Sequence, residues 1–127
     1  MKFAAPLAFT LFSVTAAHAA GDIDKGKDIF TTRCASCHHV GPSARAAFGP
    51  QLNGVFGRKA GGTDDYRYSD AMKASPVVWG DDTLRAFLES PAKVVPGTKM
   101  RFWGMSNARQ LDDLLAYLRT FPPQTQP

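Results

Sequence analysis

The sequence predicts an all-α domain with long irregular loops, on three observations. Apolar residues recur at helical spacing in three separate segments, no stretch alternates apolar and polar residues over a useful length, and two long segments rich in Gly, Pro and polar residues carry no period at all. Loops of that length are unusual in a compact domain unless they wrap around something.

In chain order, the first feature is a leader. Met1-Lys2, the apolar run Phe3 to Val14 and the small-residue site Ala17-His18-Ala19 have the three-part layout of a secretory signal peptide, with cleavage expected after Ala19 or Ala20. The run is shorter than the about 20 apolar residues a membrane span needs, and it contains Pro6. Residues 20–127 are therefore expected to form a single exported domain, without stable membrane insertion, in the periplasm. The chain carries 15 Lys and Arg against 11 Asp and Glu, a net charge of +4 that falls by one when Lys2 leaves with the leader. This is too mild and too dispersed for a nucleic-acid partner.

The first helix follows Asp22 as cap, with Ile23, Gly26, Phe30 and Cys34 expected on one inward face. A short helical turn is expected at Asp70 to Ala74. A second main helix is expected over Thr83 to Ser90, capped by Asp81 or Asp82, with Leu84, Phe87 and Leu88 inward and Pro91 as its stop. The third runs from about Asn107 to Thr120, where Leu111, Leu114, Leu115 and Leu118 follow i, i+3, i+4, i+7, and ends before Pro122-Pro123. The irregular segments are His39 to about Arg67 and Pro96 to Gly104. The second includes Met100, Phe102 and Trp103, which would be costly to leave in water. A buried flat cofactor would give both loops a surface.

The two cysteines identify that cofactor. They form Cys34-Ala35-Ser36-Cys37-His38, the C-x-x-C-H pattern of covalent haem attachment. Thiols at i and i+3 at a helix end share one side and can add to the two vinyl groups of one haem, while the next residue brings an imidazole to the iron. A disulfide across two residues would constrain the unfolded chain little, a thioredoxin-like pair would want a βαβ pattern, and a zinc site lacks a fourth ligand. The sequence thus predicts one haem c on Cys34 and Cys37 with His38 as an iron ligand. His39 is adjacent to His38 and cannot reach the other haem face. Met72, Met100 and Met105 are the thioethers left after leader cleavage, and Met100, beyond the Pro96-Gly97 turn, is the best placed.

The chain resembles the class I cytochromes c, most closely the mitochondrial cytochrome c and bacterial cytochrome c2 branch. The resemblance rests on Gly21-Asp22 through Lys27, the haem motif, Gly49-Pro50-Gln51-Leu52-Asn53-Gly54-Val55-Phe56-Gly57-Arg58, Tyr68-Ser69-Asp70-Ala71, Trp79, Pro96-Gly97-Thr98-Lys99-Met100 and Leu114-Leu115-Ala116-Tyr117-Leu118. It implies the class I fold, three main helices plus loops around one haem. It also implies Met100 as sixth ligand and the Pro50 carbonyl as acceptor for the other ring N–H of His38. Arg58, Tyr68 and Trp79 match positions that contact or neutralise a haem propionate, and Thr98 a hydroxyl that bonds within the crevice. Gly26 and Phe30 match the contact of the first helix with the last, against Leu114 and Tyr117. Two departures stand out: Met72 where the family usually has Asn, and Phe87 where it often has Tyr. Both remove polar atoms near Met100, so the buried water of that region is expected to lose the about 2–4 partners a water needs.

Such a protein is expected to carry electrons rather than to be an enzyme, cycling Fe(II) and Fe(III) as a monomer between redox proteins such as a cytochrome bc1-like reductase, an oxidase or a dehydrogenase of a respiratory chain. Arg33, Lys93 and Lys99, beside the haem motifs, are expected to form a positive rim for acidic partners, with Ala92 where a lysine is common. The alternative is a peroxidase-like haem enzyme or gas sensor with a labile sixth ligand. It would want distal acid–base residues, and no histidine remains to serve there.

Overall fold

A computed structural model describes residues 20–124, so the leader expected at 1–19 lies outside the described residues. The described elements are helical: α1 (Ile23–Arg33), α2 (Asp70–Ala74), α3 (Asp81–Glu89), α4 (Pro91–Val94) and α5 (Ala108–Arg119). Among the described residues the only β pairing is an isolated antiparallel bridge between Lys59 and Val78. No helix among them is long and apolar enough to cross a membrane.

Each main helix begins where a side chain supplies a hydrogen bond to its first turn. Asp22 caps α1 by accepting from the Lys25 N–H at 3.1 Å, and Asn107 caps α5 by accepting from Gln110 at 3.0 Å. The start of α3 differs from the sequence expectation. Gly80 is the cap, and the hydroxyl of Thr83, inside the first turn, accepts from the Gly80 N–H at 2.8 Å. Asp81 and Asp82 lie within that turn, where carboxylates complement the helix dipole. Pro91 both follows α3 and opens α4, because a proline at the first helical position loses no hydrogen bond.

The core forms where α1 crosses α5. Gly26 lets the two backbones meet: a Cβ there would collide with the Asp113 carbonyl. Four residues on, Phe30 packs on Tyr117 with ring centroids 5.6 Å apart. Leu111, Leu114, Leu115 and Leu118 are all buried, as their spacing predicts, each burial being worth about 1.5–3 kcal/mol. Ile23 departs from the predicted inward face; it is 49% exposed, while the chain meets α5 on either side of it, at Gly21 and at Gly26. Its place at the helix start is taken by a polar tie, in which buried Asp113 accepts the backbone N–H of Asp22 at 2.7 Å.

Leu84, Phe87 and Leu88 of α3 face inward, and Trp79 stacks on Phe87 at 4.9 Å. Trp79 is positioned by a short backbone ladder outside the named elements: its N–H donates to Arg58 O at 2.9 Å, and its carbonyl accepts from the Gly57 N–H at 2.7 Å. This pairing gives part of the long loop after His39 a fixed place against the segment that leads into α3.

Candidate haem site

Between α1, α3, α5 and the loops lies a cavity of about 490 Å³. Its walls are mainly apolar: Phe30, Leu52, Val55, Met72, Trp79, Leu84, Phe87, Leu88, Leu114 and Leu118. So many large apolar side chains facing one cleft would be costly to leave against water, and a flat apolar occupant would cover them.

Cys34, Cys37 and His38 line one part of this cavity. They leave the end of α1 in a continuing turn: Cys34 N–H and Ala35 N–H donate to Phe30 O at 2.8 and 2.9 Å, and Cys37 N–H and His38 N–H to Cys34 O at 3.0 and 2.9 Å. This turn sets both thiols and the imidazole beside one another. Both cysteines are free thiols. Burial pushes the Cys34 thiol up to about 11, against the pull of the neighbouring Arg33 charge. It is held as a neutral S–H.

His38 is held at one ring nitrogen. Its Nδ1 lies 2.8 Å from Pro50 O. Burial holds its pKa below the ordinary imidazole value, against the Pro50 hydrogen bond that favours the charged form. The ring is therefore neutral near pH 7, and a neutral ring bonded to a carbonyl through Nδ1 must carry its proton there. That leaves the Nε2 lone pair free to bind a metal. Gly49 presses on the same ring: a Cβ at 49 would stand 2.6 Å from His38 Cε1. His39 is exposed, with Nδ1 3.2 Å from Arg45 O, turned away as its adjacency to His38 requires.

Every other predicted site residue lines the same cavity. Met100 and Thr98 come from the loop after α4, and the Met100 N–H donates to Thr98 Oγ1 at 3.3 Å. Arg58 donates to the carbonyls of Gln51 at 2.8 Å and Asn53 at 2.5 Å; burial lowers its pKa, with partial support from Tyr68. The Tyr68 hydroxyl lies 2.7 Å from Thr63 Oγ1. No Asp or Glu is found among the cavity-lining residues, which include Arg33, Arg58, Lys99 and Arg101.

The structure adds residues that the sequence reading missed. Phe48, Tyr66 and Arg101 also line the cavity, beside Phe102, which was expected there. Tyr66 ties two loops together: its hydroxyl donates to Phe48 O at 2.9 Å, while Lys99 Nζ sits 4.6 Å over its ring and bonds Arg67 O. The sequence signal was the Tyr66-Arg67-Tyr68 pair of aromatics in an otherwise polar loop. One expectation fails. Trp103 was expected to share the cofactor surface with Met100 and Phe102, but it is fully exposed, because Phe102 turns inward and its neighbour must turn out.

A family model for cytochrome c matches residues 23–122. The chain belongs to the cytochrome c family. Among its relatives, a cytochrome c of Gibberella zeae is 48% identical over 101 residues, covering 80% of this chain and 95% of that protein. A cytochrome c2 of Rhodoblastus acidophilus is 46% identical over 102 residues, covering 80% and 94%. The solved structure of cytochrome cH from Methylobacterium extorquens superposes with a TM-score of 0.72 at 44% identity, covering 79% of this chain and 99% of the other. The fold is thus the class I cytochrome c fold, all-α with long loops, and the family implies a covalently bound c-type haem. The residues present fit that group. Two unpaired thiols, a free imidazole nitrogen, apolar walls and cations without carboxylates suit a flat apolar macrocycle with anionic propionates.

Proposed function

We propose that residues 20–127 form an exported, periplasmic one-electron carrier holding one haem c, released by removal of the 1–19 leader. Cys34 and Cys37 would hold it through two thioethers, and His38 and Met100 would ligate its iron. When bound, the haem supplies an iron that cycles between Fe(II) and Fe(III) without a substrate. The observation that carries this reading is the His38–Pro50 pair inside the apolar cavity, at 2.8 Å, in the same lining as both cysteines and Met100.

The protein's own residues then have distinct tasks. The Pro50 carbonyl fixes the His38 tautomer and ring orientation. Thr98 steadies the backbone of Met100. Arg58, Tyr68 and Trp79 face the propionates, Arg58 supplying the compensating charge. The apolar wall keeps water out and, with a His/Met ligand pair, favours the less charged reduced state. Partners are redox proteins, a bc1-like reductase on one side and an oxidase or dehydrogenase on the other, met by the monomer in brief encounters of small area.

The test is a mass measurement joined to a redox titration. The peptide containing Cys34 to His38 should carry one haem mass, and the protein should titrate reversibly in a single one-electron wave. A peptide without the added mass, or a protein that takes up no electron reversibly, would sink the reading.

A further inference from the structure

Four large hydrophobic side chains are exposed among the described residues, and Trp103 is the one without an account. Ile23 and Val78 are 49% and 55% exposed, ordinary for single surface positions. Phe48 is 86% exposed but lines the cavity, so its ring belongs to the haem site. Trp103 is 103% exposed and lies outside that lining.

The backbone on either side holds the indole outward. Phe102 turns into the cavity, with the Arg33 guanidinium 5.5 Å from its ring centroid. Gly104 takes φ +99°, a left-handed conformation, and approaches Glu89 O so closely that a Cβ would not fit. Met105 is buried, and its N–H donates to Leu88 O at 2.8 Å. Trp103 is therefore presented between one residue packed in the cavity and two pinned to α3. A backbone held in place before binding loses little entropy when the side chain it carries docks.

Its surroundings point to the partner's chemistry. Arg33, Lys99 and Arg101 are exposed and line the cavity, which places three cations on its rim, with no carboxylate in the described lining. Trp and Arg are the side chains that most often carry interface energy. We propose that Trp103 is the apolar anchor of an interface with an acidic-faced redox protein, seated in an apolar pocket of that partner while Arg33, Lys99 and Arg101 meet its carboxylates. This rests on the carrier reading above and adds the residue that fixes where the partner sits.

The experiment uses the haem-loaded protein with a purified haem–copper oxidase and a purified bc1 reductase as probes, comparing wild type with Trp103→Ala, Trp103→Phe and Arg101→Gln. Trp103→Ala should raise KM roughly tenfold with kcat, absorption spectrum and midpoint potential unchanged. Trp103→Phe should recover most of the loss, and Arg101→Gln should raise KM less while flattening its salt dependence. If neither probe turns over wild type, the carrier reading itself fails. If wild type turns over and Trp103→Ala leaves KM unchanged, the carrier reading stands and the anchor is overturned. A blue shift of the Trp103 emission on phosphatidylserine vesicles, with KM unchanged in Trp103→Ala, would assign the indole to a membrane surface and overturn it equally.

Discussion

The two stretches that bring His38 and Met100, the proposed iron ligands, to the cavity are held by different means. On the His38 side the chain is tied at short sequence distance: Cys34, Ala35, Cys37 and His38 all donate backbone N–H groups into the turn after α1, Gly49 donates to Cys37 O at 2.9 Å, and His38 bonds Pro50 O. On the Met100 side, Thr98 N–H donates to Val95 O at 3.0 Å and Met100 has the longer 3.3 Å bond to Thr98, and the next backbone tie comes only at Met105. What holds that loop is reach across the molecule, with Lys99 on Tyr66 and Arg67 and Met105 on Leu88. The His38 side is held by local backbone ties, whereas the Met100 side depends on contacts with distant segments.

The most severe way to break this contrast is to remove the attachment. Replacing both Cys34 and Cys37 by Ala should abolish covalent haem, read by haem staining of a denaturing gel. It should also leave the apolar walls of the cleft without their covalently held cover, read as a lower or lost cooperative melt by circular dichroism. Gly49→Ala probes the His38 side alone. Its Cβ would meet the imidazole at 2.6 Å in a region with little freedom to move, so it should destabilise by about 1–3 kcal/mol and disturb the His38 ring resonances, leaving the Met100 methyl signal in place.

Thr98→Val probes the other side. It removes the acceptor of the Met100 N–H and should cost about 0.5–1.5 kcal/mol, with faster amide exchange confined to the loop around Met100. Acidification has the smallest effect near neutrality, and its sign follows from His38. Its pKa in the folded chain lies below the ordinary 6.5, so the unfolded chain binds the proton more readily. The stability this neutral histidine gives is present above pH 6.5 and is lost as pH falls through the folded value. Binding of free haem to the haem-free protein, followed by absorbance from pH 8 to pH 4, should weaken on the acid side as protonation takes up the His38 Nε2 lone pair.

How far the sequence could be read follows the same division. The periods of α1, α3 and α5 were legible because each buries a face that repeats every turn, and the cysteine–histidine turn was legible because its chemistry is contiguous. The α3 cap was not, since Thr83 reads as a residue inside the helix and acts backwards on Gly80. The helix α4 has only four residues, too few to show a period. The choice between Phe102 inward and Trp103 outward depends on the pinning of Gly104 and Met105 to α3, a long-range contact that no local pattern announces. The partners of Arg58 are local, carbonyls of its own loop, but a backbone carbonyl leaves no mark in the residue types. Asp113 interrupts an apolar stripe in the sequence, and its burial follows from the tight approach at Gly26 that brings the Asp22 N–H within reach.

The measurement that tests the central claim most directly is the absorption spectrum of the purified protein, oxidised and reduced, repeated with carbon monoxide and cyanide. The account predicts a weak far-red sulfur-to-iron band in the oxidised protein, its loss in Met100→Ala, and no rapid shift of the reduced wild type with carbon monoxide. A wild type without that band, binding carbon monoxide readily, would contradict His38/Met100 ligation and favour a haem enzyme or gas sensor with an open iron.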